Sequence, residues 1–96
     1  MLKQGKAIKK IPGGKLVRVD VTYSPARLES VKITGDFFLH PEDLLVAMEN
    51  RLTGAALPLS KPQMASDLQA LLDEQGATLI GFSPADLMDI LEEALQ

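Results

Sequence analysis

Ninety-six residues, 46% apolar and 24% charged, describe one globular domain spanning 1–96 with one core and no room for a deep substrate cavity and its catalytic apparatus. Zero cysteines exclude disulfides, thiolate nucleophiles, cysteine zinc sites and iron–sulfur scaffolds, and the single histidine, His40, leaves any metal site to carboxylates. No apolar run approaches the ~18 residues of a membrane span, and no signal-peptide h-region opens the chain, so a soluble cytoplasmic protein without a membrane partner is expected.

The net charge of −3 is unevenly distributed. Residues 1–19 carry Lys3, Lys6, Lys9, Lys10, Lys15 and Arg18 and no acid, a net of +6. Residues 20–96 hold all 13 acids against Arg27, Lys32, Arg51 and Lys61, a net of −9. Such a basic end is either a segment that faces anions or acids, or a solvated basic strand. Nucleic acid is disfavoured, because the chain is acidic overall and no stacking aromatics interleave with the lysines.

In chain order, residues 6–11 predict a first strand, and Pro12-Gly13-Gly14 predicts the turn after it. Val17, Val19, Val21 and Tyr23 then alternate with Arg18, Asp20 and Thr22, a period of two that marks a half-buried second strand. Ser24-Pro25-Ala26-Arg27 breaks it. A third strand from about Leu28 to Phe37 places Val31 and Ile33 on the core side and Lys32 outward.

The remainder predicts helix. Pro41 suits a first helical position, with Glu42 and Asp43 complementing the dipole and Leu44, Leu45, Met48 and Leu52 at helical spacing before Gly54. Ala55–Leu59 is a connector. Ser60 and Gln63 have the spacing of a capping box, followed by Met64, Leu68, Leu71 and Leu72 on one face and a stop at Gly76. Thr78–Phe82 is a short apolar extended segment. Ser83-Pro84-Ala85-Asp86 opens a last helix with Leu87, Ile90, Leu91 and Leu95 on its apolar face. Strands followed by helices indicate an α+β fold: a small antiparallel three-stranded sheet, an N-terminal hairpin plus a third strand, with about three helices on one face.

Chemistry is harder to find than docking. Pro12-Gly13-Gly14-Lys15 is not a phosphate loop, because its glycines are adjacent and a strand follows instead of a helix. Lys15 can still present an ammonium at the rim of a partner's active site. Phe37 and Phe38 are adjacent, and strand neighbours face opposite ways, so one ring points outward, where a large apolar group marks a partner surface. Asp36 either accepts backbone N–H groups at the strand-to-helix junction or pairs with a partner's cation. His40 is a capping or exposed residue with no nucleophile beside it except Thr34. Asp73-Glu74 and Glu92-Glu93 are solvated helix faces, and Met48, Met64 and Met88 sit at core spacing.

Gly14-Lys15-Leu16-Val17-Arg18-Val19-Asp20-Val21 followed by Leu28 to Phe38, with its Gly35-Asp36-Phe37-Phe38 block, resembles the C-terminal accessory domain of lipoate–protein ligases. Pro41-Glu42-Asp43, Leu52-Thr53-Gly54 and Ser83 to Leu87 fit the same pattern, so the resemblance runs from about Lys6 to Leu95. In that family a large domain binds lipoate and ATP, makes lipoyl-adenylate and passes the lipoyl group to a lysine of a lipoyl carrier domain. The small domain closes on the large one and supports adenylation, and in some organisms, archaea notably, it is a separate polypeptide. This chain, with its own Met1 and no room for a catalytic domain, looks like that case.

The resemblance implies a non-catalytic subunit that forms a heterodimer with the catalytic subunit of a lipoate–protein ligase. Lipoate, ATP and Mg are implied at that partner and none at this chain alone. The carrier domain of 2-oxoacid dehydrogenase or glycine cleavage proteins is implied as an indirect partner. No catalytic residue carries over; Gly14, Lys15, Gly35, Asp36, Phe37, Phe38 and His40 carry over as a partner interface or active-site rim. A general interaction module of the same fold, without a lipoate role, is the alternative. A sulfur-transfer scaffold of similar architecture is set aside for want of a cysteine.

Overall fold

The valine alternation builds the middle of a sheet. In the computed structural model, which describes residues 2–96, β2 (Leu16–Tyr23) lies between β1 (Lys3–Lys10) and β3 (Leu28–Gly35), antiparallel to both. Val17, Val19 and Val21 pair with Gly35, Ile33 and Val31 on β3, and all three valines are buried. The pleat sends Lys6, Arg18 and Lys32 to the other face. The helices α1 (Leu44–Leu52), α2 (Lys61–Glu74) and α3 (Pro84–Ala94) supply most of the rest of the core, with Ile11, Leu39 and Phe82 from outside them. α3 packs on β1, β2 and α2, and α1 packs on β3. This is the expected α+β architecture, and its radius of gyration of 12.5 Å agrees with the roughly 12–13 Å expected of a compact chain this long.

Leu28, Ile33, Leu52, Leu68, Leu87, Ile90 and Leu91 are fully buried, and each stabilises the fold by on the order of 1.5–3 kcal/mol relative to exposure. Ser83 and Asp86 form a reciprocal capping box at the start of α3: Ser83 N–H donates to Asp86 Oδ2 at 2.9 Å, and Asp86 N–H to Ser83 Oγ at 3.1 Å. Among the described residues no helix is long and apolar enough to cross a membrane.

Four boundaries differ from the sequence expectation. The first strand begins at Lys3 instead of residue 6, since its pairing with β2 continues to Tyr23. The third strand ends at Gly35, because the backbone leaves the sheet at Asp36. α1 starts at Leu44, not Pro41: residues 41–43 form a turn in which the Pro41 and Glu42 carbonyls accept from Leu44 and Leu45 N–H, both at 3.1 Å. At Ser60 no side-chain cap forms; Gln63 donates along the helix to Asp67 Oδ1 at 3.0 Å instead. One further element was not anticipated as a sheet. β4 (Phe38–His40) and β5 (Thr78–Ile80) pair antiparallel as a separate two-stranded ribbon.

The sheet and the helix layer approach closely at Gly5, where a Cβ would collide with the carbonyl oxygen of Ala94 at the end of α3. Backbone cannot move aside as a flexible side chain does, so Gly5→Ala should cost about 1–3 kcal/mol. A thermal unfolding curve should show Tm falling on the order of 10 °C; an unchanged Tm would mean that α3 shifts freely on β1.

Candidate functional site

Three backbone segments cross at one end of the sheet, and most of the residues singled out from sequence lie there. The β1–β2 turn brings Gly14 and Lys15 against Gly81, whose carbonyl accepts the Lys15 N–H at 3.0 Å. A Cβ on Gly14 would overlap the Gly81 carbonyl, one on Gly35 would overlap the Leu16 carbonyl, and one on Gly81 would press on Lys15 and Phe37. Gly35 and Gly81 also take φ values of 154° and 121°, which side-chain-bearing residues rarely adopt. Glycine at these three positions is what lets the segments touch.

Asp36 closes the crossing. Its N–H donates to the Leu16 carbonyl at 3.2 Å, and its Oδ1 accepts the Leu16 N–H at 2.9 Å. The carboxylate thus stands in for the strand carbonyl that Leu16 loses when the chain turns away. Asp36 accepts a backbone N–H, as expected, but at the sheet's end and not at a helix start.

Beyond Asp36 the two phenylalanines part. Phe37 turns inward onto the core and meets Phe82 edge to face, with ring centroids 4.9 Å apart and planes at 85°. Phe38 opens β4 and is 54% exposed. Its cross-strand partner on β5 is Ile80, itself 55% exposed. His40 pairs with Thr78 two residues along, also exposed, so Phe38, His40, Thr78 and Ile80 share the outer face of the ribbon. The stem of Lys15 rests over Gly81, next to Ile80. A groove of about 440 Å³ beside Phe38 is lined by Thr34, Gly35, Phe37, Glu42 and Leu45.

Ile80 and Gly81 are the residues that sequence reasoning missed. The signal was the alternation Thr78-Leu79-Ile80, which places Leu79 inward and Ile80 outward once a pairing partner exists. On the sheet's open face, the bidentate contact of Arg18 with Asp20, at 2.9 and 3.1 Å, holds the Asp20 carboxyl below its ordinary range. Among the described residues no three histidine, cysteine or carboxylate side chains cluster to hold a metal ion. The arrangement presents an apolar pair, an ammonium and an open groove on one end: the makings of a docking surface.

No protein-family model matches the chain. It is 29% identical, over 76 residues, to lipoate-protein ligase A subunit 2 of Thermoplasma acidophilum, a match that covers 79% of this chain and 76% of that protein. Its fold superimposes on a chain from a solved structure of an archaeal lipoylation system, a bi-partite lipoate protein ligase and its E2 lipoyl domain, also from Thermoplasma acidophilum. That match has a TM-score of 0.68 at 25% identity and covers 95% of this chain and 94% of the other. Sequence and fold together make the chain a homologue of that subunit of the ligase.

If Asp36 Oδ1 holds the turn, Asp36→Ala should destabilise the chain by about 1 kcal/mol, whereas Asp36→Asn, which keeps an acceptor at that position, should recover most of the loss. Urea unfolding of the two variants separates them; equal midpoints would show that the bond to Leu16 contributes nothing.

Proposed function

We infer that this chain is the small subunit of a two-chain lipoate–protein ligase, docking on the catalytic subunit to enable ATP-dependent lipoate adenylation and protein lipoylation. The observation that carries this reading is its homology to subunit 2 of the Thermoplasma ligase. The catalytic subunit seats on the outer face of the β4–β5 ribbon, where Phe38 and Ile80 offer a pair of apolar side chains beside the groove. His40 lies on the same face and rims the contact. Gly14, Gly35 and Asp36 shape the backbone that carries it, and Phe37 anchors that backbone to the core through Phe82.

In this role the chain contributes position, water exclusion and charge, and performs no bond-making itself. Lipoate, ATP and Mg are held by the catalytic subunit, and the carrier domain that accepts the lipoyl group comes to the assembled pair. Adenylation builds negative charge around the α-phosphate and expels pyrophosphate, so a sealed site and a nearby cation lower its barrier. Lys15, at the rim and with its stem fixed over Gly81, is the cation placed to do so.

The test is pyrophosphate release from lipoate and ATP by the catalytic subunit with and without this chain. Release only when both are present is expected. Equal release without the chain would overturn the reading in favour of a general interaction module. Phe38→Ala and Ile80→Ala should each weaken the complex by on the order of 2 kcal/mol, about thirtyfold in Kd, and calorimetric titration reads this directly. Lys15→Ala should slow pyrophosphate release in the fully formed complex while leaving Kd unchanged; a wild-type rate would remove that assignment.

A further inference from the structure

The apolar end is too small to hold a heterodimer by itself. Phe38 and Ile80 together expose on the order of 200 Å² of apolar side chain, whereas a stable interface buries about 800 Å² on each partner. The contact must therefore continue onto neighbouring surface, and two routes leave the crossing. One runs over the helix layer, where residues 42–96 hold ten acids and only two cations, Arg51 and Lys61. Lys61 is itself bridged to Asp89 and Glu92. That surface is acidic and has no further exposed large apolar side chain except Val46.

The other route is continuous with the docking end. Leu16 follows Lys15 directly and is 44% exposed on the open face of the sheet, and Ile8, 57% exposed, is its diagonal neighbour across β1–β2. Beyond them the face becomes cationic. Lys10 stands opposite Leu16, Arg18 opposite Ile8, and Lys6, Asp20 and Lys32 form one row across the three strands. A depression of about 570 Å³ opens there, with Gln4, Thr22 and Ser30 as further lining. Four cations thus share this face with one acid, and that acid is occupied by Arg18. Among the described residues no helix covers the face, and the carboxylates of Glu29 on β3 and Asp36 just beyond it are engaged by Arg27 and Leu16 N–H.

We propose that the open face of the three-stranded sheet is the second part of the docking surface, covered by an acidic surface of the catalytic subunit whose carboxylates meet Lys6, Lys10 and Lys32. This rests on the reading of the chain as that subunit's partner. Charge complementarity names the occupant: Lys6 and Lys32 stand two strand separations apart, about 9.6 Å, with Lys10 further along β1, and such separated ammonium groups, with hydroxyl and amide groups among them, fit dispersed carboxylates on a protein. A nucleic acid fits less well, because Asp20 sits in the middle of the row and the face has no aromatic ring on which a base would stack. The Leu16–Ile8 pair links this polar field to the Phe38–Ile80 end, so that one partner spans both.

The experiment is calorimetric titration of the catalytic subunit with the wild-type chain, Phe38→Ala, and the double variants Lys6→Glu/Lys32→Glu and Lys6→Gln/Lys32→Gln, at 50 and 300 mM NaCl. Both lysines are exposed, and thermal melts check that the variants fold. Charge reversal is expected to weaken binding at least tenfold at low salt and to flatten its salt dependence, with the glutamine pair intermediate. Phe38→Ala is expected to weaken binding while keeping the wild-type salt dependence. If charge reversal leaves affinity and salt dependence unchanged while Phe38→Ala weakens the complex, the sheet face is not part of the interface and the reading of the chain as the small subunit stands. If the wild-type chain forms no complex at either salt, both fail together. Two controls with wild-type and charge-reversed chain alone complete the test: sedimentation for self-association, and titration with a single-stranded oligonucleotide. Loss of either signal on charge reversal, with catalytic-subunit binding intact, would overturn the proposal and assign the face to a second copy or to nucleic acid.

Discussion

The crossing of three backbone segments at Gly14, Gly35 and Gly81 is the constraint on which the rest of this structure depends. It joins the three-stranded sheet to the β4–β5 ribbon through the bond from Lys15 N–H to the Gly81 carbonyl and the two bonds between Leu16 and Asp36. Because the segments touch backbone to backbone, there is little freedom to slide one past another, and the ribbon's outer face is held at a set angle to the sheet's end. Phe37 and Phe82 then lock the crossing from the core side. Without this contact the β4–β5 ladder would still pair Phe38 with Ile80, but the pair would not be set beside the Lys15 stem. A docking surface needs preorganisation as much as it needs apolar area, since ordering loose side chains on binding is unfavourable.

The second organising fact is electrostatic. A chain with a basic first fifth and an acidic remainder folds so that strands β1 and β2 carry the cations and the helices carry the acids. One sheet face is packed under α1 and α3, and Lys6, Lys10, Arg18 and Lys32 take the opposite face, while Lys3 and Lys9 on the edge strand β1 share the valines' side and stay exposed. Burial of Val17, Val19 and Val21 and exposure of Arg18 and Lys32 are therefore one decision made by the pleat. A surface with one basic and one acidic side narrows the orientations in which a partner of given charge can approach it.

Much of this was readable from local pattern. The period-two valines, the helical spacing of Leu68 with Leu72 and of Leu87 with Ile90 and Leu91, and the helix opened by Ser83-Pro84-Ala85-Asp86 all appear in the structure as read, because each depends on neighbours a few residues away. The readings that failed had the same local plausibility and were overridden from outside. Pro41 is a good first helical residue in isolation, but the pairing of residues 38–40 with β5 holds the chain extended until it, and a turn must intervene before α1. Ser60 and Gln63 have capping-box spacing, yet Asp67 one turn on competes for the Gln63 amide and takes it. The outward phenylalanine was foreseen for a strand continuing through Gly35; it points outward instead because a new strand begins at Phe38.

By itself the sequence determined the α+β class, the order of the main elements, the buried faces of β2, β3 and α3, and the lack of cysteine chemistry, since composition and periodicity are properties of the chain alone. The tertiary structure decided which phenylalanine faces outward, that Ile80 joins it, and that Asp36 serves the turn of the sheet. These depend on the pairing of β4 with β5 and of Leu16 with Asp36, contacts 38 to 42 and 20 residues apart along the chain. No window of local sequence contains both partners of such a contact, so only the folded chain, by bringing them within hydrogen-bonding distance, chooses between the alternatives the sequence allows.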